Sequence, residues 1–340
     1  MKHSLTSGSA MTSKSSIRRE RVQRIAEVIR DAAYALSFRT WLQKWQKFDI
    51  SQASEAVKFF DEHGWVIFRN VFDAAEIRNF RRDVESVQQE PYPGDLLSSR
   101  SLGGSKFVLD KRIVHVAKCI LRDTPFYFGD SSASMDVGAM GFHKDNPDRE
   151  DQEAPDWQTP YSLVRIGVYL QDHTWYSGGL AVRDRSHLTV NRNKGRPLMI
   201  PTRSGDLVLW SLRTTHSGYA TRLKVFPQVF VPIPFVKMLA SFKLVKKYLF
   251  PVFFRPFESE KRLALFATFG VDDGHLARFI AYLRTRQYAV SKWQSTVYEK
   301  RLFDEAEAVG VKLISMRERV SDIDVSTLNK EHVYLPWKSR

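Results

Sequence analysis

His143 and Asp145 stand one residue apart in GFHKDN, and His216 closes the apolar run SGDLVLWSLRTTH. Side chains of an extended segment alternate with period two, so His143 and Asp145 project to one side and can reach the same ion. A strand that ends at His216 would deliver a second imidazole to the mouth of a barrel. Two imidazoles and one carboxylate make the facial triad of non-haem Fe(II) oxygenases, in which three protein ligands fill one face and leave three positions open. Zinc more often takes four protein ligands, or three and a single water. An H-x-D pair alone is equally the mark of a surface loop, so its weight rests on the surrounding pattern.

Such ligands need strands to hold them. Gly64 to Phe72 (GWVIFRNVF) has β-branched and aromatic character, and Asp73 is a good N-cap for a helix over Ala74–Gln89. From Phe107 to Leu223 the chain breaks into short runs at Val108–Leu121, Ser162–Leu170, Gly179–Val182 and Asp206–Trp210, separated by Gly, Pro, Asp and Ser. That spacing predicts an antiparallel sandwich or jelly roll. Arg262–Phe269 reads as one more strand, and Ala277–Thr285 and Arg301–Met316 as helices. In Ser162–Leu170, Arg165 shares a face with Gly167, Tyr169 and Gln171, opposite Val164, Ile166, Val168 and Leu170. An arginine on the inward face could bind an anionic substrate; on the outward face it would be a surface residue. Trp210 is expected in the core.

In order along the chain, GFHKDN, GGLAVRDRSH, SGDLVLWSLRTTHSG and KRLALFATFG together resemble the phytanoyl-CoA dioxygenase family of Fe(II)/2-oxoglutarate oxygenases over roughly residues 60 to 275. The resemblance implies a mainly β fold with flanking helices around a double-stranded β-helix, a cupin-like jelly roll. It assigns Fe(II) to His143, Asp145 and His216, and the far carboxylate of the cosubstrate 2-oxoglutarate to an arginine, whose planar fork suits bidentate pairing. Arg262, at the head of the last strand, is the first choice and Arg222 the competitor. Arg262 lies 46 residues beyond His216, which requires an insertion. The family's Gly-Ser-His loop reads Arg185-Ser186-His187 here, and His173 and His187 become supporting residues rather than ligands. With O2 as the oxidant the implied reaction is hydroxylation, because halogenating relatives replace the carboxylate ligand by a small residue.

Composition bounds the remaining possibilities. The chain has 340 residues, 43% hydrophobic, 26% charged and 13% aromatic, which excludes a disordered or collagen-like protein. One cysteine, Cys119, excludes an internal disulfide and a cysteine-based zinc cage. Neither a signal-peptide core nor a stretch of membrane-spanning length is seen, so a cytoplasmic location is expected. Net charge is +14, and two segments hold almost all of it: residues 1–48 carry ten Lys/Arg against three acids, and residues 223–257 carry six and none.

The expected organisation is a disordered tail over 1–16, a basic amphipathic helical extension over 17–48, an oxygenase domain over 49–275 with a basic aromatic insertion at 223–257, and a helical extension over 276–340. The insertion holds eight of the 23 phenylalanines and is expected to act as a lid, a dimer contact or an anchor on an anionic membrane at the inner face. The leading expectation is a hydroxylase of an amphiphilic or lipid-linked small molecule in biosynthesis. The alternative is a non-catalytic peripheral membrane-binding protein on a jelly-roll scaffold. Nucleic acid is disfavoured, because the basic segments lack a nucleic-acid motif and one is heavily apolar.

Overall fold

Strands of the large sheet are apolar on both faces, and each face buries into a core of its own. The computed structural model describes residues 46–87, 95–98, 105–135, 142–172, 179–218, 222–223, 241–249, 252, 254–255 and 263–330. In chain order come α1 (Ala53–His63), β1 (Trp65–Phe68), α2 (Ala74–Val87), α3 (Lys111–Leu121), β2 (Phe126–Tyr127), β3 (Ser131–Met135), β4 (Leu163–Tyr169), β5 (Ala181–Arg183) and β6 (Pro197–Met199). There follow β7 (Leu207–Ser211), β8 (His216–Ser217), β9 (Arg222–Leu223), β10 (Phe254–Arg255), β11 (Leu263–Gly270), α4 (Gly274–Leu283), α5 (Gln287–Ser295), α6 (Lys300–Val309) and β12 (Lys312–Leu313).

Strand β11 pairs antiparallel with β3 on one side and β4 on the other, β4 pairs with β7, and β7 with β1. The second sheet runs β6-β5-β8, and a bridge between His143 and His216 adds the H-x-D segment beyond β8. Two four-membered antiparallel sets, β3-β11-β4-β7 and 143-β8-β5-β6, make the jelly roll expected from the sequence. The sheets face one another without closing into one continuous barrel.

Period-two alternation sorts the side chains. Val66, Phe68, Val164, Ile166, Val168, Leu207, Leu209, Leu265, Ala267 and Phe269 pack outward against helices α1, α2 and α3. Trp65, Ile67, Tyr169, Val208, Trp210 and Ala264 point the other way, into a core shared with Leu180, Val182, Leu198 and Ile200 of the second sheet. Arg165 shares the parity of Tyr169, which places it on the inward face, the question that alternation alone left open.

Three expectations need correction. The strand expected to end at His216 stops at Ser211; a turn carries the chain into the second sheet, where His216 opens β8 against β5. The run Val108–Leu121 is not strand-like: Lys111–Leu121 is helix α3, started by Asp110, whose carboxylate accepts from the Arg112 amide. Its buried residues Ile113, Val116, Ala117 and Ile120 repeat at three to four positions, a helical stripe that lies on α1. The helix expected over Arg301–Met316 ends at Val309, where Gly310 caps it at φ 82°, and Lys312–Leu313 becomes a strand parallel to β2. The tail over 1–16, nearly all of the 17–48 extension, His173, Arg262 and most of the insertion lie outside the described residues.

Candidate metal centre

His143 and His216 sit directly opposite each other. Each donates its amide to the other's carbonyl, at 3.0 and 2.9 Å, so the two side chains leave the pair on the same side, with ring centroids 4.4 Å apart. Asp145, two residues on, is pinned where its amide bonds the Leu212 carbonyl at 3.0 Å. The Asp145 carboxylate then lies between the rings, Oδ1 3.5 Å from His143 Nε2 and Oδ2 3.5 Å from His216 Nε2. All three side chains are buried, and one donor atom from each falls within 4.8 Å of the others. Three donors on one octahedral face with bonds of about 2.1 Å lie about 3 Å apart. The cluster would have to contract from within 4.8 Å to that spacing to close on an ion.

Protonation also fits. Burial holds the His216 imidazole down at about 4 against the pull of Asp145, so the ring is neutral at physiological pH. Its Nδ1 faces the Thr214 carbonyl at 3.0 Å. That carbonyl can only accept, which fixes the proton on Nδ1 and leaves the Nε2 lone pair for a metal. Burial pushes the Asp145 carboxyl up, but the charges around it, Arg165 and Arg149 among them, outweigh it and hold the group below the usual carboxylate range. Both Asp145 oxygens are buried and accept no hydrogen bond among the described residues. A buried carboxylate without hydrogen bonds is costly unless a cation neutralises it, and a divalent ion between the three donors would do so.

No family model matches the chain, and no curated protein matches it. Solved structures resemble it in shape. The non-heme alpha ketoglutarate dependent epimerase SnoN from nogalamycin biosynthesis aligns at 14% identity and TM-score 0.44, over 65% of this chain and 83% of that one. EctD from S. alaskensis, with 2-oxoglutarate and 5-hydroxyectoine, aligns at 14% identity and TM-score 0.45, over 68% and 80%. HygX from Streptomyces hygroscopicus, with nickel and 2-oxoglutarate bound, aligns at 16% and 0.45, over 64% and 86%. At that distance the likeness is one of shape, and the chemistry rests on this chain's own side chains.

Around the triad the supporting groups come from far along the chain. Arg165, across β4 from both Thr268 and Trp210, brings its Nε to 3.8 Å from Asp145 Oδ2 and donates from Nη2 to Asp130 at 3.0 Å. Lys292 of α5 lies 3.8 Å from the other Asp130 oxygen and donates to the Ser131 carbonyl at 2.8 Å. The arginine singled out for substrate is thus engaged with the ligand carboxylate and with Asp130. Trp210 is in the core as expected, and its indole also lies 5.5 Å from the His216 ring, forming a wall of the site.

Lys144, between the two ligands, projects the opposite way and is 2% exposed. Its ammonium donates to the Ser186 and Arg213 carbonyls, both at 2.6 Å, and rides over the Trp157 ring. Burial, and then Arg213, push its amine well below the usual lysine range. Lys144 thereby ties the H-x-D segment to the turn after β5 and the turn before β8. Next to it Asn146 donates to Asp156 at 3.0 Å, and Asp156 also meets His275 and Arg278 of α4. None of these partners was singled out from the sequence. The one legible signal was parity, which sets Lys144 on the face opposite His143 and Asp145.

His187 is buried outside the triad, its Nε2 donating to the Asp61 carbonyl at 2.9 Å. Burial lowers its pKa to about 4. Below it lies Gly64, at φ 78°, where any Cβ would sit 2.4 Å from His187 Nδ1 and 2.7 Å from Thr214 Oγ1. The Gly64 carbonyl accepts from Thr214 Oγ1 at 2.7 Å and the Ser211 amide at 3.0 Å. The bare turn after α1 is therefore what lets the distal-histidine turn approach. Of the cosubstrate arginines, Arg222 has its backbone in β9 opposite Arg255, and Arg262 immediately precedes β11 in sequence.

Proposed function

We propose that the chain is an Fe(II)/2-oxoglutarate-dependent oxygenase with His143, Asp145 and His216 as the iron ligands. The observation that carries this reading is the buried Asp145 carboxylate, without a hydrogen bond, between two imidazole Nε2 atoms. Two imidazoles and one carboxylate on a single face leave adjacent positions for a bidentate cosubstrate and for O2. Bound there, iron would supply oxidation of a C–H bond coupled to decarboxylation of 2-oxoglutarate. The chain's own share is geometric and electrostatic. Thr214 orients His216, Arg165 faces Asp145, Lys144 anchors the segment between the first two ligands, and Trp210 with Tyr169 and Phe266 supplies an apolar wall that limits water.

Hydroxylation of an amphiphilic or lipid-linked small molecule is the finer reading. The retained carboxylate ligand favours hydroxylation over halogenation, and the apolar insertion between the distal histidine and β11 favours an amphiphile. Arg262 is proposed for the far carboxylate of 2-oxoglutarate ahead of Arg222, so Arg262→Ala should raise the 2-oxoglutarate requirement strongly while Arg222→Ala should not. The deciding experiment is anaerobic titration of the purified protein with Fe(II) and 2-oxoglutarate. A visible metal-to-ligand charge-transfer band is expected, and it should vanish in His216→Ala. Stoichiometric metal binding with no band would refute the cosubstrate, and failure to bind Fe(II) at all would refute the metal.

A further inference from the structure

Between β8 and β11 in sequence lie the two short strands β9 and β10. Strands β9 and β10 pair antiparallel, Leu223 with Phe254 and Arg222 with Arg255, so the two ends of the insertion lie side by side. Within the insertion Val245–Leu249 is a short helical stretch. Its surroundings break the rule that large apolar side chains are hidden. Eight large hydrophobic residues are exposed among the described residues, and five of them, Phe242, Leu244, Tyr248, Leu249 and Val252, fall within eleven consecutive positions. Leu244 is 73% exposed and Val252 60%. Scattered single apolar residues on a surface are ordinary, whereas a clustered set marks a docking face.

The same positions carry charge of one sign. Lys243 and Lys247 are exposed between the apolar residues, and Lys247 rides over the Tyr248 ring at 5.1 Å. Residues 223–257 hold six Lys/Arg and no acid. Exposed apolar side chains interleaved with two exposed lysines meet their complement in a bilayer surface, where acyl chains take the Phe and Leu side chains and anionic headgroups take the ammonium groups. No helix among the described residues is long and apolar enough to cross a membrane. The contact is therefore one of lying on the surface. An acidic protein partner would satisfy the lysines and leave the side chains at 242, 244, 248, 249 and 252 without an apolar counterpart.

The geometry points to Phe242, Leu244, Tyr248, Leu249 and Val252 as a lipid-docking surface that sits in the headgroup layer of an anionic membrane. It stands on the exposed side chains of the insertion and is independent of the iron chemistry. The test is sedimentation of the full-length protein with vesicles of phosphatidylcholine alone and of phosphatidylcholine mixed with phosphatidylserine, with a control lacking vesicles. Binding is expected to the mixed vesicles, to be weaker by at least ten-fold on neutral ones, and to fall as salt rises. Lys243→Gln with Lys247→Gln should lower affinity about thirty-fold, from the attraction typical of each interfacial cation. Phe242→Ser, Leu244→Ser, Tyr248→Ser and Leu249→Ser together should abolish binding while leaving circular dichroism unchanged and the melting temperature within a few degrees, because about half or more of each side chain is already in water. Equal binding to both vesicle types, binding to neither, wild-type binding by the Ser variant, or sedimentation without vesicles through self-association would each overturn the proposal.

Discussion

Acidification should unfold the metal-free protein through two buried histidines. His216 and His187 are both held at about 4 by burial, against an ordinary value of 6.5. In the unfolded chain these rings take up protons as pH falls through 6.5, while in the folded protein they stay neutral until about 4. The unfolded state therefore binds more protons across that window, and stability falls with pH between the two values. At 1.36 kcal/mol per unit of pKa difference, each ring is worth about 3 kcal/mol once both states have titrated, most of it lost by about pH 4.5. Carboxylates held low, such as Asp145 and Asp156, lose their contribution only below about pH 4. Asp95 opposes the trend, because burial raises its carboxyl and protonation relieves the penalty.

A difference measurement isolates one ring. Urea unfolding in a chelator should be followed from neutral pH to about pH 4.5 for the wild type and for His187→Gln, which retains a donor for the Asp61 carbonyl at a position outside the triad. The variant should lose between about 2 and 3 kcal/mol less than the wild type over that range. Fe(II) under anaerobic conditions should then protect at the neutral end and dissociate as His216 takes a proton. Identical pH profiles for wild type and variant would refute the assignment of the acid sensitivity to a buried neutral His187.

Alanine at His143, Asp145 or His216 should abolish Fe(II) binding by equilibrium dialysis, and Asp145→Ala should lower the metal-free melting temperature at neutral pH, since it removes a carboxylate held low by its surroundings and leaves Arg165, 3.8 Å away, without it. An unchanged or higher temperature would show that the carboxylate does not stabilise the apo fold. Arg165→Met should weaken metal affinity by about 10–100-fold, the usual cost of losing a partner of a ligand; unchanged affinity in dialysis would remove Arg165 from the site. Gly64→Ala should cost about 2–5 kcal/mol in urea unfolding, combining a left-handed φ with a Cβ forced against His187 and Thr214. A loss under about 1 kcal/mol would mean that the turn relaxes freely.

Local pattern was enough for part of the ligand set. His143 and Asp145 needed only period-two alternation to share a side, and Leu207–Ser211 needed only its β-branched and leucine content to become a strand. Both inferences are properties of a few consecutive residues, and tertiary contacts reinforced them. His216, by contrast, was placed by the turn beyond that strand and by pairing with β5 and His143. At Lys111–Leu121 local chemistry pulled two ways. Ile113, Val114 and Val116 favour a strand, while Asp110 and the spacing to Ile120 favour a helix, and a helix surface on α1 to bury against settled it. Gly310 was a readable stop for α6, and the strand beyond it depended on β2, which lies far back in the sequence.

The groups that hold the site ready could not be read locally, because each pairs residues remote in sequence. Arg165 meets Asp130, 35 positions earlier, only because β11 lies between β3 and β4 and brings those strands together. Lys144 reaches Ser186 and Arg213, 42 and 69 positions away, through the two turns that the His143–His216 bridge draws together. Which face of β4 turned inward was equally undecidable from alternation, since both of its faces are buried. Sequence by itself determined which side chains could bind a metal, because ligand type and two-residue spacing are local quantities. Tertiary structure decided their charge and orientation, because burial, carbonyl partners and counter-ions exist only once distant segments have packed.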